Sequence, residues 1–414
     1  MKFSQMFKTE TGKNYAVTFA LVCTLFFLWA LCNGMIDVLN KHFQNSLHIS
    51  KAQSALVQFS NYMGYFLMAL PAGLLAKRFG YKAVIILGLS CIAAGSFWFI
   101  PATSINTFPA FLAGLFIIAI GMCCLETTAN PYTTVLGPAE MGAARINLAQ
   151  SCNGLGWIFG PLIGGQVILS ATSDVNRSNS TLYIPYLIIG AVVVVLATAF
   201  FFAKIPEIKA EEETAEKVAS GGAKVKSMWK RKHFTFAVLA QFLYVAAQTG
   251  IFSFFINYIV ENSHIPDRSA SQWLTVGFVL FLAGRLSGSM MLRFVKAHSA
   301  LAAFSFVNGL LMVAAMLLHG TIANIALLLS FFFMSIMFPT IFALGIKGLG
   351  EQTKQASSFI VMAIVGGAIV PMLMGRIADI SSMRTGFIVP FVCFIGVGLY
   401  AAMWQKLEAR DAAV

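Results

Sequence analysis

Charged residues are the scarcest component of this sequence. Only 11% of its 414 residues are Asp, Glu, Lys or Arg, whereas 58% are hydrophobic. A soluble globular domain carries about a quarter charged residues, so this composition excludes that class. We therefore expect a polytopic membrane protein that has the lipid bilayer as its solvent.

Histidine and cysteine are also few, at six and seven residues, and they show no metal-ligand spacing. The cysteines all lie inside apolar segments, while the histidines lie in loops or near segment ends. We therefore predict no metal site and interpret the cysteines as small residues in helix packing. The first apolar run is too long for a signal peptide and has no convincing cleavage site, so it is predicted to be a span.

The net charge of +12 lies mostly in short connections on one side of the apolar segments. This distribution follows the positive-inside rule and argues against nucleic acid as a partner. The segments number twelve, and an even number places both termini on one side, which the distribution of Lys and Arg predicts to be cytoplasmic. They lie at about 15–40, 52–76, 82–101, 107–136, 144–171, 181–204, 233–260, 270–295, 298–318, 321–347, 356–380 and 385–405.

A long polar stretch at 205–232 divides the chain into halves whose motifs repeat. Gly73 to Phe79 in the second segment matches Gly288 to Phe294 in the eighth, and Pro131 to Gly137 in the fourth matches Pro339 to Gly345 in the tenth. Such a parallel repeat is typical of major facilitator transporters. We predict an all-α fold of twelve transmembrane helices in two pseudo-symmetric six-helix bundles, 1–204 and 233–414, joined by a cytoplasmic linker at 205–232.

Glu126 is the central acidic residue of the predicted spans. A carboxylate at the membrane centre costs at least ~2.5–3.5 kcal/mol, so it normally faces a partner or a watery cavity. Asn130 lies one helical turn further on the same face, and Pro131 allows a kink beside them. Two interpretations follow: a neutral carboxyl that is hydrogen-bonded between helices, or a proton-carrying site beside a polar substrate. We favour the second.

Asp37 is the second acid inside a predicted span, further towards the external side. Trp29, Asn33 and Asp37 repeat every four residues and so share one helix face. This stripe is predicted to line an outward-opening cavity, with Trp29 and Asn33 as substrate-binding residues. For Asp37, a structural cap near the interface is an alternative. At the outer end of the eleventh segment, Asp379 is predicted to pair with Arg376, one turn away.

Two further spans carry amide and aromatic side chains at helical spacing. Amides donate to and accept from hydroxyl groups, and rings pack against the apolar face of a sugar. The alternative is hydrogen bonding between helices and core packing. The candidate substrate residues here are Gln150 and Asn153 in the fifth segment and Gln241, Tyr244, Gln248 and Phe252 in the seventh.

Two other features concern gating and direction. Arg285 is a lone cation in the eighth segment, for which we place structural gating ahead of substrate contact. The run from Gly156 to Gly165 matches the G-x-x-x-G-P-x-x-G-G pattern of drug-exporting antiporters, but its glycines also permit close helix packing.

Three stretches of the sequence resemble the fucose–proton symporter family of the major facilitator superfamily. They are Phe26-Phe-Leu-Trp29-Ala with Asn33 and Asp37, Leu125-Glu126-Thr-Thr-Ala-Asn130-Pro131, and Asn147-Leu-Ala-Gln150-Ser-Cys-Asn153. The resemblance implies alternating access, with Asp37 and Glu126 as the two protonatable acids and Asn153 as a substrate-side asparagine. It also places Lys77 and Arg78 in the cytoplasmic gating motif after the second span, where the superfamily usually has Asp in place of Lys77.

The sequence therefore predicts a secondary transporter that imports a fucose-like monosaccharide with protons. We expect no enzymatic activity, no cofactor besides the coupling proton, a monomer, and a location in a bacterial inner membrane. The alternatives are a proton-coupled exporter of small amphipathic compounds or sugars, and a nutrient sensor. The sensor is disfavoured because such proteins carry long cytoplasmic extensions, which this sequence lacks.

Overall fold

The computed structural model describes residues 7, 14–137, 142–169, 182–203, 228–292, 294–349 and 353–412. Helices account for the regular structure of this part of the chain, and no β-strand occurs in it. Most of the predicted linker (205–232) lies outside the described residues, which resume with a 3₁₀ turn at Met228–Lys230.

Six helices form the first half of the described chain, and nine form the second. The first six are α1 (Ala16–Leu47), α2 (Lys51–Ser54), α3 (Leu56–Ile105), α4 (Phe108–Val135), α5 (Gly142–Val167) and α6 (Tyr183–Phe202). The others are α7 (Lys232–Ser263), α8 (Asp267–Met291), α9 (Ala297–Leu317), α10 (Gly320–Met334), α11 (Met337–Ile346), α12 (Thr353–Met362), α13 (Gly366–Ile380), α14 (Met383–Gly386) and α15 (Ile388–Ala412).

The helices coincide with the predicted apolar segments, with differences in how they are broken. The second and third segments follow each other directly within α3, whose helical backbone is interrupted by a kink at Gly80 (φ 82°, ψ 167°). A non-glycine residue rarely adopts this backbone conformation, so glycine is what allows the chain to turn there. Within the described residues, nine helical stretches are long and apolar enough to cross a membrane. The number of twelve spans and the side of the termini stay predictions.

The chain divides into two compact units. The first contains Met1–Met35 and Met63–Lys224, and the second contains Ile36–Tyr62 and Val225–Val414. Residues 36–62 comprise the end of α1, all of α2 and the start of α3, and they belong with the second unit although they lie in the first half of the sequence. The predicted division into two six-helix bundles is therefore not the same as these units, and it stays a prediction.

Helices α1 and α5 of the first unit approach each other closely through glycines. A Cβ atom added at Gly156 would lie 2.4 Å from the Phe27 carbonyl oxygen, and one added at Gly160 would lie 2.6 Å from the Gly34 Cα. Contacts this short leave no room for a side chain. Close packing with α1 thus accounts for the glycines of the G-x-x-x-G-P run, without reference to an exporter.

In the second unit, the carboxyl-terminal helix α15 is fixed by polar contacts near its end. The Asp411 carboxylate lies 2.8 Å from His233 Nδ1 and also accepts a hydrogen bond from the His233 backbone N–H. The Trp404 indole N–H donates to the Leu344 carbonyl oxygen at 3.2 Å. These contacts connect α15 to the start of α7 and to α11.

The α1–α5 contact predicts a stability difference between two glycine substitutions. Gly156→Val should lower stability by about 1–3 kcal/mol, because overpacked side chains force neighbouring atoms apart. Gly73→Val is the matched control, since a Cβ at Gly73 meets no atom within 4 Å. The apparent melting temperature of both variants in detergent is the measurement. Equal melting temperatures for the two variants would contradict the contact.

Candidate functional site

Glu126 lies on α4, where the structure places it beside Tyr65 of α3. The Tyr65 hydroxyl donates a hydrogen bond to the Glu126 carboxylate. The two helices are close here, since the Cys123 thiol lies 3.5 Å from the Tyr65 carbonyl oxygen. Glu126 and Tyr65 are both partly exposed, so the acid sits at a surface of the first unit with a hydroxyl partner.

Asn130 and Gln150 extend this polar surface from α4 to α5. The Asn130 amide donates to the Glu126 carbonyl oxygen at 3.0 Å, and its side-chain oxygen accepts from Gln150 Nε2 at 3.1 Å. The predicted sharing of one face by Glu126 and Asn130 is thus confirmed, and Gln150 joins them from another helix. A row of donors and acceptors of this kind can bind hydroxyl groups.

Asn33 on α1 lies close to the same hydroxyl. Its Nδ2 is 3.5 Å from the Tyr65 hydroxyl oxygen and donates to the Trp29 carbonyl oxygen at 3.1 Å. Asn153 donates from Nδ2 to the Phe26 carbonyl oxygen at 3.2 Å, and the Trp29 ring lies 4.7 Å from the Phe26 ring. The contacts through Tyr65 and Asn130 therefore bring four candidates together: Asn33, Glu126, Asn130 and Gln150. Trp29 and Asn153 both lie at Phe26 and are buried.

Asp37 belongs to the second unit and is almost completely buried, with 2% of its surface exposed. Its carboxylate accepts a hydrogen bond from Gln58 Nε2 at 2.8 Å and a longer one from the Ser253 hydroxyl at 3.5 Å. Burying a carboxylate is unfavourable unless donors compensate, so Gln58 is the main compensating group.

The predicted polar stripe of α7 lies largely inside the second unit. Gln241 and Tyr244 have no exposed surface, and the Tyr244 hydroxyl donates to the Met334 carbonyl oxygen at 2.8 Å. Gln248 is partly exposed and hydrogen-bonds with Tyr244. Of these three residues, only Gln248 has a side chain that a solute can reach. Gln241 and Tyr244 are packed between helices in this structure, as the alternative interpretation of the stripe predicts.

Phe252 and Arg285 are joined by a cluster of rings. The Phe252 ring stacks on Phe331 with centroids 4.8 Å apart and meets the edge of Phe278 at 4.9 Å. The Arg285 guanidinium lies 5.0 Å from the Phe281 ring, a cation–π contact, and the described residues contain no carboxylate that forms an ion pair with it. Arg285 is thus a partly buried cation that the Phe281 ring stabilises.

The remaining gating candidates lie where α3 bends. Arg78 is exposed, with its guanidinium 5.2 Å from the Phe79 ring. The Lys77 side chain lies outside the described part of the structure. Across the residues that are described, no group of three His, Cys, Asp or Glu side chains is placed to hold a metal ion.

Sequence reasoning missed Tyr65, Gln58 and Ser253. Tyr65 and Gln58 belong to a polar row on α3 whose members are three, four and seven residues apart, so the same periodicity argument would have found them. The row is Gln58, Asn61, Tyr62 and Tyr65. Ser253 gives no such signal, because serine occurs throughout the apolar helices of this chain.

Known proteins resemble the chain over nearly its whole length. The sequence profile of the Major Facilitator Superfamily matches residues 22–364. The L-fucose-proton symporter of Escherichia coli K12 is 40% identical over 94% of this chain and 93% of its own length. The glucose/galactose transporter of Brucella abortus is 34% identical over 96% and 97%. A crystal structure of an E. coli fucose:proton symporter variant superposes with a TM-score of 0.69 at 38% identity, covering 95% and 99%.

The Asp37–Gln58 contact predicts a loss of stability on removal of the amide. Gln58→Leu leaves a buried carboxyl without its nearest donor, which should cost about 1–3 kcal/mol. Gln272→Leu, a change of the same kind at an exposed residue of α8, is the control. Thermal unfolding in detergent at neutral pH measures both. An unchanged melting temperature for Gln58→Leu would show that Asp37 does not depend on this amide.

Proposed function

Because this chain belongs to the Major Facilitator Superfamily, we propose that it imports a monosaccharide together with protons across a bacterial inner membrane. Two of the relatives described above are named for the sugars they carry, and one of them for its proton. The membership supports a multi-pass membrane transporter and not an enzyme. The proton as coupling ion, with no further cofactor, is part of the proposal, and the name of one relative supports it.

The observation that carries the proposal is the polar surface of the first unit. Glu126 accepts a hydrogen bond from the Tyr65 hydroxyl. One helical turn later, the Asn130 amide hydrogen-bonds with the Gln150 amide. A proton carrier therefore lies next to groups that bind hydroxyls. This arrangement is what coupling between a proton and a sugar needs, because binding of one ligand then alters the surroundings of the other.

Glu126 is proposed as the main coupling carboxyl. Its neighbours Tyr65, Asn33 and Asn130 supply hydroxyl and amide groups but no positive charge. Among the described residues no cation forms an ion pair with this carboxylate, so exclusion of water favours the protonated acid. Closure around a bound sugar would thereby favour uptake of the proton, and opening to the cytoplasm would favour its release.

Asp37 is proposed as the second protonatable group, towards the external side. It is buried between Gln58 and Ser253 in this structure, away from bulk water. Protonation of the Asp37 carboxylate would remove the charge that the Gln58 and Ser253 donors compensate. The hydrogen bonds around Asp37 therefore depend on its charge. This dependence is the physical basis for a role in the transport cycle.

The substrate proposed is a neutral hexose of the fucose, glucose or galactose type. Asn33, Asn130, Gln150 and Asn153 are the candidate hydroxyl-binding residues of the first unit. In the second unit they are Gln241, Tyr244, Gln248 and Phe252, of which Gln248 is the best exposed. Arg285 is proposed as a gating residue, together with Lys77 and Arg78 after the second span.

The finer features of the architecture are also proposals. They comprise twelve transmembrane helices, two pseudo-symmetric bundles of six, both termini in the cytoplasm, and a monomeric protein. The positive charges on one side of the apolar segments support the orientation.

A panel of sugars tested for pH transients is the experiment that tests the function. Proteoliposomes of known protein orientation would receive L-fucose, D-glucose, D-galactose and D-xylose in turn. Inward proton movement that one of these sugars starts is the expected result. Outward proton movement on addition of amphipathic drugs, with no response to any sugar, would instead establish an exporter.

Glu126→Gln is predicted to uncouple the sugar from the proton. Glutamine keeps the size and a hydrogen-bond acceptor of the side chain but carries no exchangeable acid proton. Accumulation driven by a pH gradient should fall to the level of equilibration, while exchange of sugar against sugar persists. Glu408→Gln is the matched control, because Glu408 pairs with Lys347 at 2.7 Å on helix α15, outside the proposed site. Uphill uptake at the unsubstituted rate in Glu126→Gln would eliminate the role.

A further inference from the structure

Residues 36–62, here named the outer segment, pack against helices of the carboxyl-terminal half within the second unit. We propose that the outer segment is the external gate of the transporter, and that the Asp379 carboxylate holds it closed by binding the start of α2. This inference rests on the proposed transport function, since a gate has meaning only for a protein that opens to one side at a time.

The contact at Asp379 is the best-defined part of this gate. One carboxylate oxygen accepts a hydrogen bond from the Lys51 backbone N–H and the other from the Ala52 backbone N–H, both at 2.9 Å. The expected pair between Asp379 and Arg376 is wrong: the ion pairs of the described residues do not include it, and both Asp379 oxygens are already occupied. The reason is that backbone donors at the start of a helix have no partner within the helix, so a nearby carboxylate binds them.

Gly375 provides the space for this contact. A Cβ atom at Gly375 would lie 2.8 Å from the Ala52 nitrogen and 2.8 Å from the Lys51 carbonyl group. The α13 backbone thus lies directly against the first turn of α2, and Asp379 follows Gly375 by one helical turn. Glycine at this position is needed for the closed arrangement, because any side chain would separate α13 from α2.

Ion pairs surround the same contact. Lys51 Nζ lies 2.5 Å from the Glu261 carboxylate, whose other oxygen accepts from the Met383 backbone N–H at 3.1 Å. Lys41 Nζ lies 3.8 Å from Asp267, which also accepts a hydrogen bond from Asn45. Three acids of the carboxyl-terminal half therefore bind groups of the outer segment.

Amide contacts continue from these charges towards Asp37. Gln44 exchanges hydrogen bonds with Asn257, and Asn40 Nδ2 donates to the Ser253 carbonyl oxygen at 2.8 Å. Ser253 is 1% exposed and its hydroxyl reaches Asp37. The outer segment thus covers Ser253. Its packing against α7 also keeps the carboxylate of its own residue Asp37 from water. Opening this segment would expose both.

The experiment measures labelling of a cysteine introduced at Ser253. Ser253→Cys is close in size, and a membrane-impermeant maleimide added from outside should react with it only when the outer segment opens. Mass spectrometry of the labelled peptide distinguishes this thiol from the seven native cysteines. The assay needs neither sugar nor a proton gradient, so it stays readable even if no sugar is transported.

Asp379→Asn and Gly375→Ala, each in the Ser253→Cys protein, are the test variants. Loss of a charge-assisted contact to helix-start donors, or insertion of a methyl group between α13 and α2, should raise the labelling rate about fivefold. Glu408→Gln and Gly309→Ala are the matched controls and should leave the rate within about twofold. Glu408 pairs with Lys347, and a Cβ at Gly309 would meet only Phe391, at 4.0 Å.

A pair of substitutions at Lys51 separates the backbone contact from the ion pair. Lys51→Ala removes the Glu261 pair and keeps the N–H, whereas Lys51→Pro removes both. Proline is tolerated at the first position of a helix, and the extended conformation of Ser50 (φ −68°, ψ 163°) suits a following proline. Faster labelling in Lys51→Pro than in Lys51→Ala is expected.

Equal labelling rates in Asp379→Asn, Gly375→Ala and the unsubstituted background would overturn the proposal. A second measurement is hydrogen–deuterium exchange of the peptides around Lys51, in protein without the Ser253→Cys substitution. There, Asp379→Asn should speed exchange at Lys51 and Ala52, and unchanged protection at these amides would count equally against the gate.

Discussion

The cost of placing a carboxylate in an apolar helical interior governs the polar structure of this protein. Glu126 and Asp37 both lie within predominantly apolar helices, and each needs hydrogen-bond donors from another part of the chain. Glu126 has the Tyr65 hydroxyl and stays partly exposed. Asp37 has the Gln58 amide and the Ser253 hydroxyl and is buried. The helices that supply these donors are thereby fixed next to the acids.

Backbone carbonyl groups take up much of the donor capacity of the amides. Asn33, Asn130 and Asn153 each donate to a main-chain oxygen, the first two to the residue four positions earlier on the same helix. The Asn130 side-chain oxygen in addition accepts from Gln150. Main-chain contacts thus fix the orientation of these three amides.

The sequence predicted those features that depend on residues close together in the chain. The apolar segments became helices, and Glu126 and Asn130 share a face because they are four residues apart on one helix. Partners that are distant in sequence could not be predicted in this way. Asp379 binds the backbone of residues 51 and 52, and a backbone N–H gives no signal in the amino-acid letters. Likewise, Gln241 and Tyr244 are buried because neighbouring helices cover their face of α7. The spacing of residues along α7 does not predict which face is covered.

The close contact of α1 and α5 at Gly34 and Gly160 limits which substitutions are tolerated next to the polar surface. Gly34 follows Asn33 directly, yet its Cα is in contact with the backbone of α5. A side chain at position 34 would have its Cβ atom 3.2 Å from the Gly160 Cα and from the Trp157 carbonyl oxygen, so α5 would have to move by a few tenths of an ångström to make room for it. Selectivity in this part of the protein is therefore expected to change more readily at Asn33, Asn130 or Gln150 than at Gly34.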